Sequence, residues 1–174
     1  MDYFIVGLDS RLRNAAKPII DSLIVGNPAR NRLRAAIPTC AYYVDDSRHN
    51  EYPDYLGGRL LLVSEKLKSI MSFYQKNAIF KPVVLIEKNK NRHENYYQTE
   101  VSEVQYKLLV PEKLGYDPKN VVLDQEVLGY FSLFYINYYG KRLVVRLDLA
   151  ESILRRDSYA VTFKKVVVTT KEEI

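Results

Sequence analysis

The stretch GGRLLLVSEKLKSIMSFYQKNAIFKPVVL, from Gly57 to Leu85, returns 83 residues later as GKRLVVRLDLAESILRRDSYAVTFKKVVV, from Gly140 to Val168. The two copies align without a gap, and nine of their 29 positions are identical. Unrelated segments of ordinary composition would share about two. The chain therefore contains an internal duplication, and each copy can be interpreted from its own residues.

The first copy has the pattern of a strand, a helix and a second strand. The apolar run Arg59–Val63 predicts the first strand, and Ser64 can cap the helix that follows. Asn77 is the expected end of that helix. Phe80–Leu85 predicts the second strand, in which Pro82 favours an edge or a bend. The apolar stripe of the helix follows a spacing of three and four residues: Leu67, Ile70, Met71 and Tyr74.

The second copy repeats this pattern with a different helix start. Asp148 and Glu151 have the spacing of a capping box. Asp157 stands where the first copy has Tyr74, so this helix should stop about one turn earlier. The helix stripe is repeated by Ala150, Ile153 and Leu154.

The remaining segments add strands and few helices. Strands are predicted at Tyr3–Gly7, Ala41–Val44 and Tyr130–Tyr138, and Tyr96–Leu109 is either a strand or an edge pairing followed by a turn. A short helix can follow Pro18. The other segments are expected to be a basic loop or short helix at 27–38, a hairpin tip at 87–95, a loop at 111–120, a hairpin turn at 139–141 and a frayed tail at 171–174.

These elements predict an α+β fold with mainly antiparallel sheet and few short helices. Two related strand–helix–strand units, 57–85 and 140–168, lie within it. The length of 174 residues fits a single domain, 1–174, with an internal duplication.

The composition narrows the class of protein. Hydrophobic residues make up 47% of the chain and charged residues 27%, as in ordinary globular proteins. Cys40 is the only cysteine, which excludes an internal disulfide and fits a reducing compartment. The first residues lack a signal-peptide pattern, and no apolar run approaches the length of a membrane span. We therefore expect a cytoplasmic protein with no membrane partner.

The residues offer little for catalysis. His49 and His93 are the only histidines, and both lie in polar stretches; Cys40 is better explained as a strand residue than as a nucleophile. One cysteine and two distant histidines do not make a zinc site, and Gly57–Gly58 leads into a strand, whereas a phosphate loop leaves one. The sequence therefore predicts no catalytic, cofactor-binding or metal-binding residue, and no enzyme.

The chain resembles a known family from Leu62–Lys68, LVSEKLK, onward. The resemblance covers most of residues 53–168. The other stretches that carry it are Pro53–Leu56, Leu133–Ile136, Arg142–Val145 and, near the end, Thr162–Phe163. The family is that of the immunity proteins of bacterial polymorphic toxin systems, group eleven, formerly a domain of unknown function. The resemblance implies a protein that neutralises a cognate toxin by stoichiometric binding and needs no catalytic residue or cofactor.

A contact surface for such a partner is predicted at Tyr42 to Tyr55, just before the first copy. Tyrosine suits protein interfaces, and the chain has fifteen tyrosines and no tryptophan. In this segment tyrosines and carboxylates mix, and the predicted partner-binding residues are Tyr42, Tyr43, Asp45, Asp46, Tyr52, Asp54 and Tyr55.

Two other functions are compatible with the sequence. The net charge of +5, the basic N-terminal segment within residues 1–36, and the cations and tyrosines of Lys88–Tyr97 would suit a nucleic-acid-associated protein. The duplicated halves would suit a structural domain that assembles symmetrically, although the sequence does not indicate an oligomeric state.

Overall fold

The computed structural model describes residues 1–25, 39–110 and 115–170. Its helices are α1 (Glu65–Tyr74), α2 (Gln125–Leu128) and α3 (Leu147–Leu154), and short 3-10 turns cover Ile20–Ser22 and Pro118–Asn120. Its strands are β1 (Tyr3–Leu8), β2 (Ile24–Val25), β3 (Cys40–Tyr43), β4 (Tyr55–Leu56), β5 (Leu62–Val63), β6 (Ile79–Glu87), β7 (Arg92–Glu100), β8 (Lys107–Leu108), β9 (Val121–Asp124), β10 (Leu133–Asn137), β11 (Lys141–Arg146), β12 (Val161–Lys165) and β13 (Val167–Thr169). The α+β class, the mainly antiparallel sheet and the few short helices are confirmed.

The segments left open by the sequence are now placed. The stretch after Pro18 forms a 3-10 turn and β2, and the run from Tyr96 belongs to the long strand β7, with β8 after it. The predicted strand Arg59–Val63 is shorter than expected, because only Leu62 and Val63 are paired. The predictions at 27–38, at 171–174 and for the first part of 111–120 lie outside the described residues.

Helix α1 begins as its sequence predicts. The Ser64 hydroxyl accepts a hydrogen bond from the backbone N–H of Leu67 at 3.3 Å, which satisfies one of the free donors of the first turn. Leu67, Ile70 and Met71 are buried. The helix ends at Tyr74, before the predicted Asn77.

Helix α3 does not use the predicted capping box. It begins at Leu147, so its N-cap is Arg146, whose side chain makes no cap hydrogen bond. The Asp148 carboxylate lies inside the first turn, where it accepts two hydrogen bonds from Arg146 and one from the N–H of Leu149. The helix ends at Leu154, about one turn before the position of Asp157, as predicted.

The two repeats exchange their first strands. We define repeat 1 as residues 3–87 and repeat 2 as residues 92–169. The first sheet has the order β2-β3-β6-β7-β5-β4, and the second has the order β10-β11-β1-β12. The strands β5 and β6 of repeat 1 therefore flank β7 of repeat 2, and β11 and β12 of repeat 2 flank β1 of repeat 1. All four of these pairings are antiparallel.

The pairing registers show that the exchanged strands are equivalent. In the first sheet Tyr97 faces Val63 and Thr99 faces Phe80; in the second Phe4 faces Val145 and Val6 faces Phe163. Phe80 and Phe163 correspond as in the gapless alignment. By its place in the sheet, however, Val63 corresponds to Val145, which is one residue before its partner in the gapless alignment. The extra residue of the second copy therefore lies between its helix and its last strand.

The duplication extends to the outer strands. β13 continues β12 and pairs in parallel with β9, as β6 pairs in parallel with β3. β8 and β2 add to β9 and β3 in antiparallel fashion. Pairing of β6 with β3 begins at Val83, so among the described residues Pro82 has a neighbouring strand on one side only, β7. This position satisfies the predicted preference of Pro82 for an edge, since proline has no N–H to donate.

One buried cluster joins the repeats. It lies between α1, α3 and the strands that they cover, and its members from both repeats are Val6, Tyr55, Leu61, Val63, Leu67, Ile70, Met71, Leu133, Leu143, Val145, Leu149, Ala150 and Ile153. A second cluster packs around β9, β10 and β1, and a third around β3, β6 and β7. Because the central cluster draws on both repeats, burial of apolar surface favours their joint folding.

The contact of β1 with β12 can be tested at Gly7, which faces Thr162. A Cβ at Gly7 would lie 2.9 Å from Thr162 Oγ1, closer than side chains tolerate. Gly7→Ala should therefore lower the free energy of unfolding by about 1 kcal/mol or more, measured by urea denaturation. Adding Thr162→Ala should recover most of this loss. Additive effects of the two substitutions would contradict the exchange of strands.

Candidate functional site

Two of the predicted contact residues belong to the core. Tyr42 is 5% exposed and Tyr55 2%, so neither can contact a partner. Tyr55 lies in the central cluster, and burial raises its pKa to about 12. The prediction was wrong for these two because the inward side of each strand takes its tyrosine into the core. Tyr43, which follows Tyr42 in β3, is half-buried, as alternation requires.

Asp45, Asp46 and Tyr52 lie together beside the β6–β7 hairpin. The Asp45 carboxylate accepts from the hydroxyl and N–H of Ser47, and these hydrogen bonds lower its pKa. The Asp46 carboxylate accepts from the N–H and side chain of Asn89 at 2.6 and 2.8 Å. This segment is therefore a structured turn, attached to the hairpin by its own polar groups.

A buried carboxylate anchors the same turn. Glu87 is 1% exposed, and its Oε1 accepts from Asn50 Nδ2 at 2.8 Å and from the Tyr52 hydroxyl at 3.0 Å. Burial opposes ionisation of Glu87, but the two hydrogen bonds and the nearby cations Lys90 and Arg92 outweigh it, and the pKa of Glu87 is lowered. Burial and the bond to Glu87 raise the pKa of Tyr52.

Asp54 joins the two repeats. Its Oδ1 accepts from the Ser64 hydroxyl at 2.5 Å, and its Oδ2 accepts from the N–H of Tyr159 at 2.6 Å. The backbone N–H of Asp54 donates to the carbonyl of Tyr159, and its carbonyl accepts from Ser64. Asp54 thus connects the N-cap of α1 to the loop after α3, and its role is structural.

The segment Lys88–Tyr97, which was proposed for nucleic acid, has part of its charge engaged within the protein. Arg92 pairs with Glu94 and lies over the Tyr52 ring, with the guanidinium carbon 4.6 Å from the ring centroid. Tyr96 is buried, and Tyr97 is covered by the Lys68 ammonium at 3.9 Å. A single-strand binder needs exposed aromatic faces along a groove, and Lys88–Tyr97 does not present them.

The sequence did not predict a groove between α1 and α3. It has a volume of about 410 Å³, and Phe73 stands at its rim with 73% of its side chain exposed. Leu154 of α3 is 58% exposed on the same pair of helices. A signal was present, because Phe73 falls outside the apolar stripe of α1 and is a large apolar residue on an otherwise polar face.

The charge of this groove is positive. The residues that line it include Lys66 and Arg156 and no carboxylate; its other members are Ser69, Ile70, Phe73, Tyr74 and Ser152. The Lys76 ammonium lies 5.3 Å from the Phe73 ring centroid. Lys66 donates to the carbonyl of Asp157 and lies 3.9 Å from Asp54 Oδ2, so its charge is partly offset from outside the groove. Arg156 donates to the carbonyl of Ser152, so both cations are held in place. An exposed aromatic ring among fixed cations suits an acidic protein surface.

The described residues offer no constellation for metal binding. No group of three or more histidine, cysteine, aspartate or glutamate side chains lies close enough there to hold an ion. Cys40 is half-buried in β3, and His49 and His93 are exposed. Over the same ranges, the helices are all too short to span a bilayer.

The chain was compared with known proteins. Neither the models of protein families nor the curated proteins contain a match to it.

The role of Asp54 predicts a loss of stability. Asp54→Ala should lower the free energy of unfolding by about 2 kcal/mol, because it removes hydrogen bonds to a partly buried carboxylate. In the Asp54→Ala background Ser64→Ala should cost less than in the wild type, since the bond between the two side chains is already lost, but it should still remove the N-cap bond to Leu67. A double-mutant cycle in urea measures this, and full additivity would show that the bond contributes nothing.

The buried carboxylate of Glu87 predicts that the stability of the protein depends on pH. A carboxylate whose folded pKa is lowered adds stability above its unfolded pKa, and this is lost as the pH falls through the folded pKa. Glu87→Gln should be less stable than the wild type at neutral pH, but should lose less stability between about pH 7 and about pH 3. Urea unfolding at both pH values tests this. The control is Glu103→Gln, at an exposed carboxylate that accepts a hydrogen bond from the Tyr135 hydroxyl. An equal loss in Glu87→Gln and wild type would contradict the assignment.

Proposed function

We propose that the chain is a non-catalytic binding protein, an immunity protein that neutralises a cognate bacterial toxin in the cytoplasm by stoichiometric binding. The observation that carries the proposal is Phe73, an aromatic side chain exposed on a two-helix face and surrounded by cations. Exposed aromatic residues of this kind are typical of the centres of protein–protein interfaces.

The surroundings of Phe73 support a preformed binding surface. The ring sits on α1, whose other face is fixed in the central cluster by Leu67 and Met71. α3 packs beside α1 in the same cluster, so the two helices do not have to be ordered on binding. A preformed surface avoids the entropic cost of ordering, which favours tight stoichiometric association.

The resemblance supplies the class of partner. The LVSEKLK phrase that carries it begins in β5 and forms the start of α1, the helix that presents Phe73. The cations of the groove favour a toxin with an acidic surface at the contact. The stretch Tyr43 to Tyr52 lies beside the β6–β7 hairpin and is a separate surface, so the originally predicted contact is not part of this groove.

The function predicts a specific loss on substitution of Phe73. The partner is first captured on the tagged chain from its native cells and then purified. Phe73→Ala should weaken its binding by about tenfold or more, measured by calorimetry, with little change in stability because the side chain is exposed. Lys66→Glu should weaken binding and reduce its dependence on salt.

The matched control is Leu109→Ala, which truncates an exposed apolar side chain on the far edge of repeat 2. Its affinity should equal that of the wild type. In cells that express the captured partner, the wild type and Leu109→Ala should restore growth, and Phe73→Ala should not. A partner that is not toxic, or an affinity that Phe73→Ala leaves unchanged, would overturn the proposal.

A further inference from the structure

Among the described residues, the central strand β1 of the second sheet is shorter than its equivalent β7 in the first. In the first sheet, β7 pairs with β6 along the whole length of β6, so that Asn95 faces Val84 and Arg92 faces Glu87. In the second sheet the equivalent pairing ends with β1, whose register with β12 stops at Phe4 and Lys165. β13 is therefore the outermost strand on that side among the described residues.

The backbone of β13 is oriented to receive a further strand. The N–H of Val166 donates to the carbonyl of Tyr3 at 3.1 Å, so Val166 directs its polar groups toward β1. Alternate residues of a strand point their N–H and C=O to the same side. Val168 therefore directs its N–H and C=O to the vacant side, while Val167 and Thr169 are directed to β9.

A cleft among the described residues coincides with this position. It has a volume of about 960 Å³, and its long side is formed by Val166–Thr170. Met1, Asp2 and Tyr116–Lys119 also line it. The carbonyl of Asp2 accepts from the N–H of Leu147, on the side of β1 that faces β11.

The cleft has a positive charge that its own carboxylates do not neutralise. Lys165 pairs with Asp2 at 2.8 Å, and Asp117 accepts from the backbone N–H of Lys119. Lys119 and Lys164 have no carboxylate partner among the described residues. The Lys164 ammonium lies 5.9 Å from the Tyr116 ring centroid.

We propose that this cleft, the β13 slot, binds an extended acidic peptide segment of a protein partner, which adds to β13 as an antiparallel strand. Backbone hydrogen bonds to Val168 supply the affinity, and Lys119 and Lys164 select acidic side chains. The slot lies on the sheet, away from the α1–α3 groove, and its peptide binding does not depend on the identity of the partner that Phe73 contacts.

The probe is a fluorescein-labelled octapeptide of alternating valine and glutamate, titrated with the full chain by fluorescence polarisation. The peptide should bind, and its valine–lysine counterpart should bind about tenfold more weakly or not at all. Val168→Pro should abolish binding because it removes the N–H that faces the slot. Val168→Ala, which truncates the same side chain but keeps the N–H, should retain it.

Hydrogen exchange makes the test independent of the proline variant. In the wild type, the Val168 amide should exchange at least about tenfold more slowly once the peptide is bound. Absence of binding at millimolar peptide, or equal binding by Val168→Pro and Val168→Ala, would overturn the proposal. A chain that dimerises on its own and already protects the Val168 amide would show that a second copy occupies the slot, which also overturns it.

Discussion

The placement of β1 between β11 and β12 is the constraint on which the rest of the structure depends. β1 begins repeat 1, yet its neighbours on both sides belong to repeat 2, and β7 has the reciprocal position in the first sheet. Neither sheet is complete without a strand of the other repeat, since a missing central strand would leave two rows of backbone groups unpaired. The duplication therefore produces one interlocked body. It also brings Val6 of β1 into the central cluster, among residues of both repeats.

This arrangement has consequences for binding. The exchange holds the two repeats in a fixed relation, so α1 and α3 present one continuous face, with Phe73 exposed on it. Asp54 strengthens the same relation where the N-cap of α1 meets the loop after α3. The two repeats differ in the length of their first strands: β7 has nine residues and β1 has six.

The sequence determined much of the local structure and little of the assembly. Ser64 and the stripe of α1 were sufficient to place that helix, because cap and periodicity are local signals. The exchange could not be predicted, since YFIVGL of β1 and RHENYYQTE of β7 share no pattern that marks them as equivalent. Tyr42 and Tyr55 were assigned to a surface because residue type alone does not show which side of a strand faces the core. Phe73 was visible as an exception to the helical stripe, but the partner helix α3 that makes it part of a groove comes from tertiary packing.

Native-state hydrogen exchange of β1 tests the reciprocal exchange of strands most directly. If β1 is a central strand of the second sheet, the amides of Tyr3–Leu8 that bond to β11 and β12 should exchange only through global unfolding, with the same free energy as the amides of β7. Added denaturant should increase the hydrogen-exchange rates of the amides in both strands, and their free energies of exchange should follow one common dependence on denaturant concentration. Exchange of β1 through a separate, low-energy opening, while β7 remains protected, would contradict the account.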